Sequence, residues 1–84
     1  MSDEEKPIHL VVPPGHESED KFFLTLFELG RKERIEEFGA FVDIIRAEHW
    51  YVWWKNEAHR LNGADGAEAA LTNAEAWRQW AVRK

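Results

Sequence analysis

The sequence predicts an all-α fold, a three-helix domain with one long central helix and a short N-terminal strand or extended arm. Three observations lead there. Apolar side chains recur at three- and four-residue steps along most of the chain after residue 18, the signature of helices with one buried face. Only one β-branched run, Ile8-His9-Leu10-Val11-Val12, has strand character. The 84 residues and an apolar content of 44% suffice for one core, so residues 18–84 read as a single helical domain behind an acidic, partly disordered arm over 1–17.

The net charge of −5 sits near the start of the chain. Residues 1–20 carry Asp3, Glu4, Glu5, Glu17, Glu19 and Asp20 against the single Lys6, whereas residues 21–84 hold ten basic and ten acidic side chains. The body is neutral on average, and a long-range pull toward phosphate is not expected. The arm reads either as a solubilising tail or as a segment that steers the protein toward a basic partner surface. Zero cysteines exclude a disulfide framework and any thiolate metal site. No basic leader with an apolar stretch precedes the fold, so a cytoplasmic location is expected, with no membrane association.

The run over 8–12 is closed by Pro13-Pro14-Gly15. A lone strand cannot satisfy its own backbone, so it must pair with a second copy or another protein's sheet edge, or else lie against helices. Ser18 is placed to cap a first helix over about Glu19 to Leu29, where Phe22, Phe23, Leu26, Phe27 and Leu29 mark one face. Gly30 is its expected stop, with a continuation to Gly39 as the alternative.

The second helix is predicted from near Lys32 to the Leu61-Asn62-Gly63 stop, about 30 residues and roughly 45 Å. Its main seam comprises Ile35, Phe38, Val42, Ile45, His49 and Val52, continued by Asn56 and His59, with Trp53 expected in the core. Ala47, Trp50, Trp54, Ala58 and Leu61 gather on nearly the opposite side. Such a rod outruns any small core, so either Gly39 kinks it or its far end packs on another molecule. With two apolar faces it needs two covers, one from the first helix and one from the Ala70, Ala74, Trp77 and Ala81 stripe beside Trp80. Of two capping-box matches, Asp65-Gly66-Ala67-Glu68 and Thr72-Asn73-Ala74-Glu75, the second is preferred, giving a turn or short helix at Ala67–Leu71 and a helix over Asn73–Arg83.

Five tryptophans are the strongest chemical signal. An indole buries a large area and carries an N–H that needs a partner, a combination suited to cores and to interface anchors. Trp50, Trp54, Trp80, Tyr51 and Leu61 are therefore the candidate partner-binding residues. His9, His16, His49 and His59 lack ligands at helical metal-site offsets, so no metal and no cofactor is expected, and His49 reads as a buried, hydrogen-bonded residue. With no Cys, only Ser2 and Ser18 as serines and no Gly-rich phosphate loop, an enzyme is not expected.

Nucleic-acid binding would use Arg31, Lys32 and Arg34 as phosphate contacts. The order strand, helix, Gly, helix over Ile8–His49 resembles that of a ribbon-helix-helix DNA-binding dimer, although His9 and Val11 stand where basic side chains would face DNA. Glu33, Glu36 and Glu37 interrupt the patch, so nucleic acid is the alternative partner and not the first. The leading expectation is a small non-enzymatic protein–protein interaction module, an adaptor, regulator or inhibitor of a larger partner. It would act by surface occupation through its Trp-rich helical faces, as a homodimer. Adaptors, regulators and virus-encoded inhibitors share this size and absence of motifs.

Overall fold

A computed structural model describes residues 8–35 and 37–83; the acidic cluster Asp3–Glu5 and its expected disorder lie outside them. Those residues form the helices α1 (Glu17–Lys32), α2 (Phe38–Leu61) and α3 (Ala67–Arg83). The chain is all-helical, and no strand occurs among the described residues.

α1 starts two residues earlier than expected and ends later. Its cap residue is His16, without a side-chain capping bond, and Ser18 lies inside the first turn. Glu17, Glu19 and Asp20 in that turn face the positive end of the helix dipole, and Arg31 and Lys32 the negative end. These carboxylates belong to the helix, which shortens the acidic arm. Gly30 does not stop α1; it is a buried notch that admits the Phe38 ring, with which an added Cβ would overlap. The actual stop is a Schellman turn with arginine in the place glycine usually takes. Arg34 adopts φ 58°, its N–H bonds to the Arg31 carbonyl at 3.1 Å, and the Ile35 N–H bonds to the Gly30 carbonyl at 3.0 Å. A second left-handed residue, Glu37 at φ 69°, opens α2.

Because the chain breaks before Phe38, α2 has 24 residues instead of 30 and spans about 36 Å. Gly39 sits in its first turn, against the Phe27 ring, and is not a mid-helix kink. The expected stop holds: Asn62 caps α2 by donating to the Ala58 carbonyl at 3.0 Å, and Gly63 follows at φ 85°. α3 then runs unbroken from Ala67, so the second capping box is not used. Thr72 donates its hydroxyl to the Glu68 carbonyl at 3.0 Å, one turn back, and stays inside the helix.

α2 is the central element. It packs extensively on α3 and less on α1, and among the described residues α1 and α3 do not meet. The Cα skeleton measures 46 × 37 × 14 Å, a flattened shape. The core is Ala47, Trp50, Trp54 and Ala58 from α2 with Ala70, Ala74 and Trp77 from α3. Small alanines let the two backbones approach, and the indoles fill the space between them. The expected main seam is thus corrected. Val42 is buried, but Ile35, Ile45, His49 and Val52 are exposed and Trp53 is only half-buried.

Leu10, Val11 and Val12 lie against that core, and Pro13 is fully buried. Here the third option for this segment, packing on helices, replaces strand pairing. The Val11 carbonyl accepts the Trp54 indole N–H at 2.9 Å and the Trp77 indole N–H at 3.0 Å, so its two lone pairs are used without a ladder. The carbonyl of Val11, in the segment a ribbon would use, is thus already engaged within the chain.

The two unusual backbone positions give opposite expectations under urea unfolding. Gly30→Ala, despite the better helix propensity of alanine, should lower stability by about 1–3 kcal/mol because the Phe38 ring must move. Arg34→Gly should raise it by about 0.5–1 kcal/mol by relieving the left-handed backbone at φ 58°.

Candidate functional site

Two polar hubs decide which side of α2 turns inward. The buried Asp20 carboxylate of α1 accepts two bonds from Arg46, Nε to Oδ1 at 2.6 Å and Nη2 to Oδ2 at 2.8 Å, and a third from the Trp50 indole N–H at 2.8 Å. Burial alone would raise the Asp20 pKa; the hydrogen bonds from Arg46 and Trp50 and the charge of Arg46 outweigh it and hold the carboxyl below its ordinary 3.8. The Arg46 guanidinium also lies 5.0 Å from the Trp77 ring centre and 6.0 Å from that of Trp80. The second hub is the Val11 carbonyl. Together they take up the N–H groups of Trp50, Trp54 and Trp77.

With those indoles held inward, a different face of α2 remains outside. Phe41, Ile44, Ile45 and Val52 are 59, 47, 40 and 47% exposed. Placed at 100° per residue, they fall in one sector of the helix opposite Trp50 and Trp54. Glu48 and Lys55 lie in the same sector, both exposed. Open troughs run along its two flanks, one lined by Ile45, His49, Val52 and Trp53 and the other by Ile44, Tyr51, Trp77 and Val82. Phe22 of α1, also exposed, meets Phe23 edge-on at 6.1 Å, and Phe23 meets His49 at 5.3 Å, so the apolar surface continues from α2 onto α1.

The expected partner-binding residues fare unequally. Trp50 is 0% and Trp54 8% exposed, so both are core residues and not surface anchors. Tyr51, Leu61 and Trp80 are half-buried; Tyr51 faces the Lys55 ammonium at 5.8 Å and Trp80 stands edge-on to Trp77 at 5.9 Å. Of the alternative nucleic-acid residues, Arg31, Lys32 and Arg34 are all exposed at the α1–α2 link, and Arg31 pairs with Glu28 at 3.6 Å. His49 is not buried either. It lies 3.4 Å from Glu19, whose carboxyl the His16 hydrogen bond and the nearby His49 hold below its ordinary value against a smaller opposing effect of burial. Among the described residues no three His, Asp or Glu side chains converge as a metal site, and no helix is long and apolar enough to cross a membrane.

Sequence reasoning missed Phe41 and Ile44 and assigned Ile45 and Val52 to the core. The available signal was the two-sided character of α2: once one face is covered by indoles, the other is the surface. Compared with family models, curated proteins and solved structures, the chain shows no match, so its function is read from its own residues.

The Asp20 hub makes a measurable pH dependence. A lowered carboxyl pKa stabilises the fold fully above the ordinary 3.8, and that contribution is lost as the pH falls below it. Asp20→Asn should cost about 3 kcal/mol near neutrality, because Arg46 then stays partly buried without its counter-charge. In thermal melts from pH 7 down to pH 3, the variant should show a flatter loss of stability than the wild type.

Proposed function

We propose that the chain is a small non-enzymatic protein–protein interaction module that works by surface occupation through the outer face of α2. The observation that carries this reading is the contiguous exposure of Phe41, Ile44, Ile45 and Val52 on one side of one helix. Singly scattered apolar side chains are ordinary on protein surfaces, whereas a continuous helical stripe of them marks a place where another surface sits. Half-buried Tyr51 supplies an aromatic flank beside it, in a position that interface anchors favour. A rigid helical face also binds without first being ordered, which favours association.

The basic residues at the α1–α2 link support nucleic-acid binding less well. Glu28, Glu33 and Glu37 stand among them, so the link carries acids interspersed with its basic side chains.

Ile45→Asp/Val52→Asp is the discriminating variant, since both side chains are already in water and the core indoles are untouched. Wild type and variant should unfold at similar temperatures. In cross-linking and light scattering, alone and in native extract, the wild type should enter a complex and the variant should bind at least about 30-fold more weakly. Equal capture by both chains would remove the α2 face from the mechanism. Retention on labelled DNA or RNA that falls steeply with salt would transfer the assignment to nucleic acid.

A further inference from the structure

The open side of α2 has both a shape and a charge pattern, and the two restrict what can cover it. A helical domain closes its core between packed elements, and α2 spends its Trp50 and Trp54 side on that core while Phe41, Ile44, Ile45 and Val52 stay exposed. What is missing is a second helical surface about as long as α2.

The polar residues on the stripe are sorted by sign. Phe41, Ile45, Glu48, Val52, Lys55 and His59 follow one another at steps of four and three, the seam along which two helices mesh. Its acid, Glu48, lies toward the N-terminal half and its base, Lys55, toward the C-terminal half. Among the described residues neither has an ion-pair partner within its own chain. Two such faces laid side by side in the same direction put like charges together. Turned end for end, they put Glu48 of one beside Lys55 of the other.

We propose that this face is a homodimer interface, covered by the α2 helix of a second copy lying antiparallel across a two-fold axis between Glu48 and Val52. The proposal rests on the interaction-module reading and names its partner. In the register that keeps every outer residue facing an outer residue, Phe41 lies opposite the partner's His59, Ile45 opposite the partner's Lys55, and Glu48 opposite the partner's Val52. The carboxylate of Glu48 then reaches the partner's Lys55 one turn along, while the aliphatic stem of that lysine covers Ile45. The contact is isologous, so each of these pairs occurs twice.

Sedimentation equilibrium on four chains tests this. Wild type should weigh close to twice 9.9 kDa at micromolar concentrations. Glu48→Lys and Lys55→Glu should each weaken the dimer about fivefold, since two exposed ion pairs turn repulsive, and the double exchange should return the affinity to within about twofold of wild type. Val52→Asp should be monomeric with an unchanged circular dichroism spectrum, and its melting temperature should lose the concentration dependence that the wild-type dimer shows. A wild type that stays monomeric at roughly 200 μM, well above a micromolar dissociation constant, would overturn the dimer. If the two exchanges simply add, the antiparallel arrangement is wrong. If the monomer still holds a different protein through this face and Val52→Asp releases it, the interaction-module reading stands and the dimer falls.

Discussion

The carboxylate of Asp20 is the group on which the arrangement of the other elements depends. It accepts three hydrogen bonds from α2 and lies buried, where an ionised group persists only if it is paired and its lone pairs are used. Arg46 answers it on one side and lies over Trp77 and Trp80 on the other. Among the described residues α1 and α3 never meet, so this one guanidinium links the outer helices through the middle one. The bond to the Trp50 indole fixes that ring's orientation, and the Val11 carbonyl does the same for Trp54 and Trp77. Directional bonds select one face of α2 for the core from two that are comparably apolar.

This explains what the sequence made legible and what it did not. Periodicity located all three helices and the double-sided character of α2, because spacing alone decides which residues share a face. The Leu61-Asn62-Gly63 stop was legible because Asn and Gly take the required backbone at low cost. The end of α1 was not, since Arg34 occupies the left-handed position where glycine is normally sought, while Gly30, the apparent stop, serves as a notch for Phe38. A capping box in the middle of α3 offered a start that was not needed, because Thr72 bonds backward within the helix.

The choice between the faces of α2 failed for a different reason. The stripe through Ile35, Phe38, Val42, Ile45 and Val52 has more conventional core residues than the one through Ala47, Trp50, Trp54 and Ala58. Counting positions favours the first. Area favours the second, because each indole buries more than an aliphatic side chain and the alanines between them let α3 come close. The partners of Trp50 and Trp54 are a carboxylate 30 residues and a carbonyl 43 residues away in sequence, and no local pattern announces such pairs. The misassigned residues were consequently the informative ones. Trp50 and Trp54, sought as anchors, are core, and Ile45 and Val52, assigned to the core, lie on the candidate surface.

Most small domains put charge outside and aliphatic side chains inside. Here a carboxylate lies buried while Phe41, Ile44, Ile45 and Val52 face water. The two halves of that inversion are connected. A layer held chiefly by apolar burial would turn its isoleucines inward and have no oily face to spare. A layer fixed by an ion pair and three oriented indoles keeps its shape without them, because each of those contacts is made within α1, α2, α3 and the 8–13 segment. Its outer stripe can then meet another surface with little change in its own backbone, so association need not compete with folding for the same side chains. The directional bonds inside this chain are in that sense the condition for its apolar exterior.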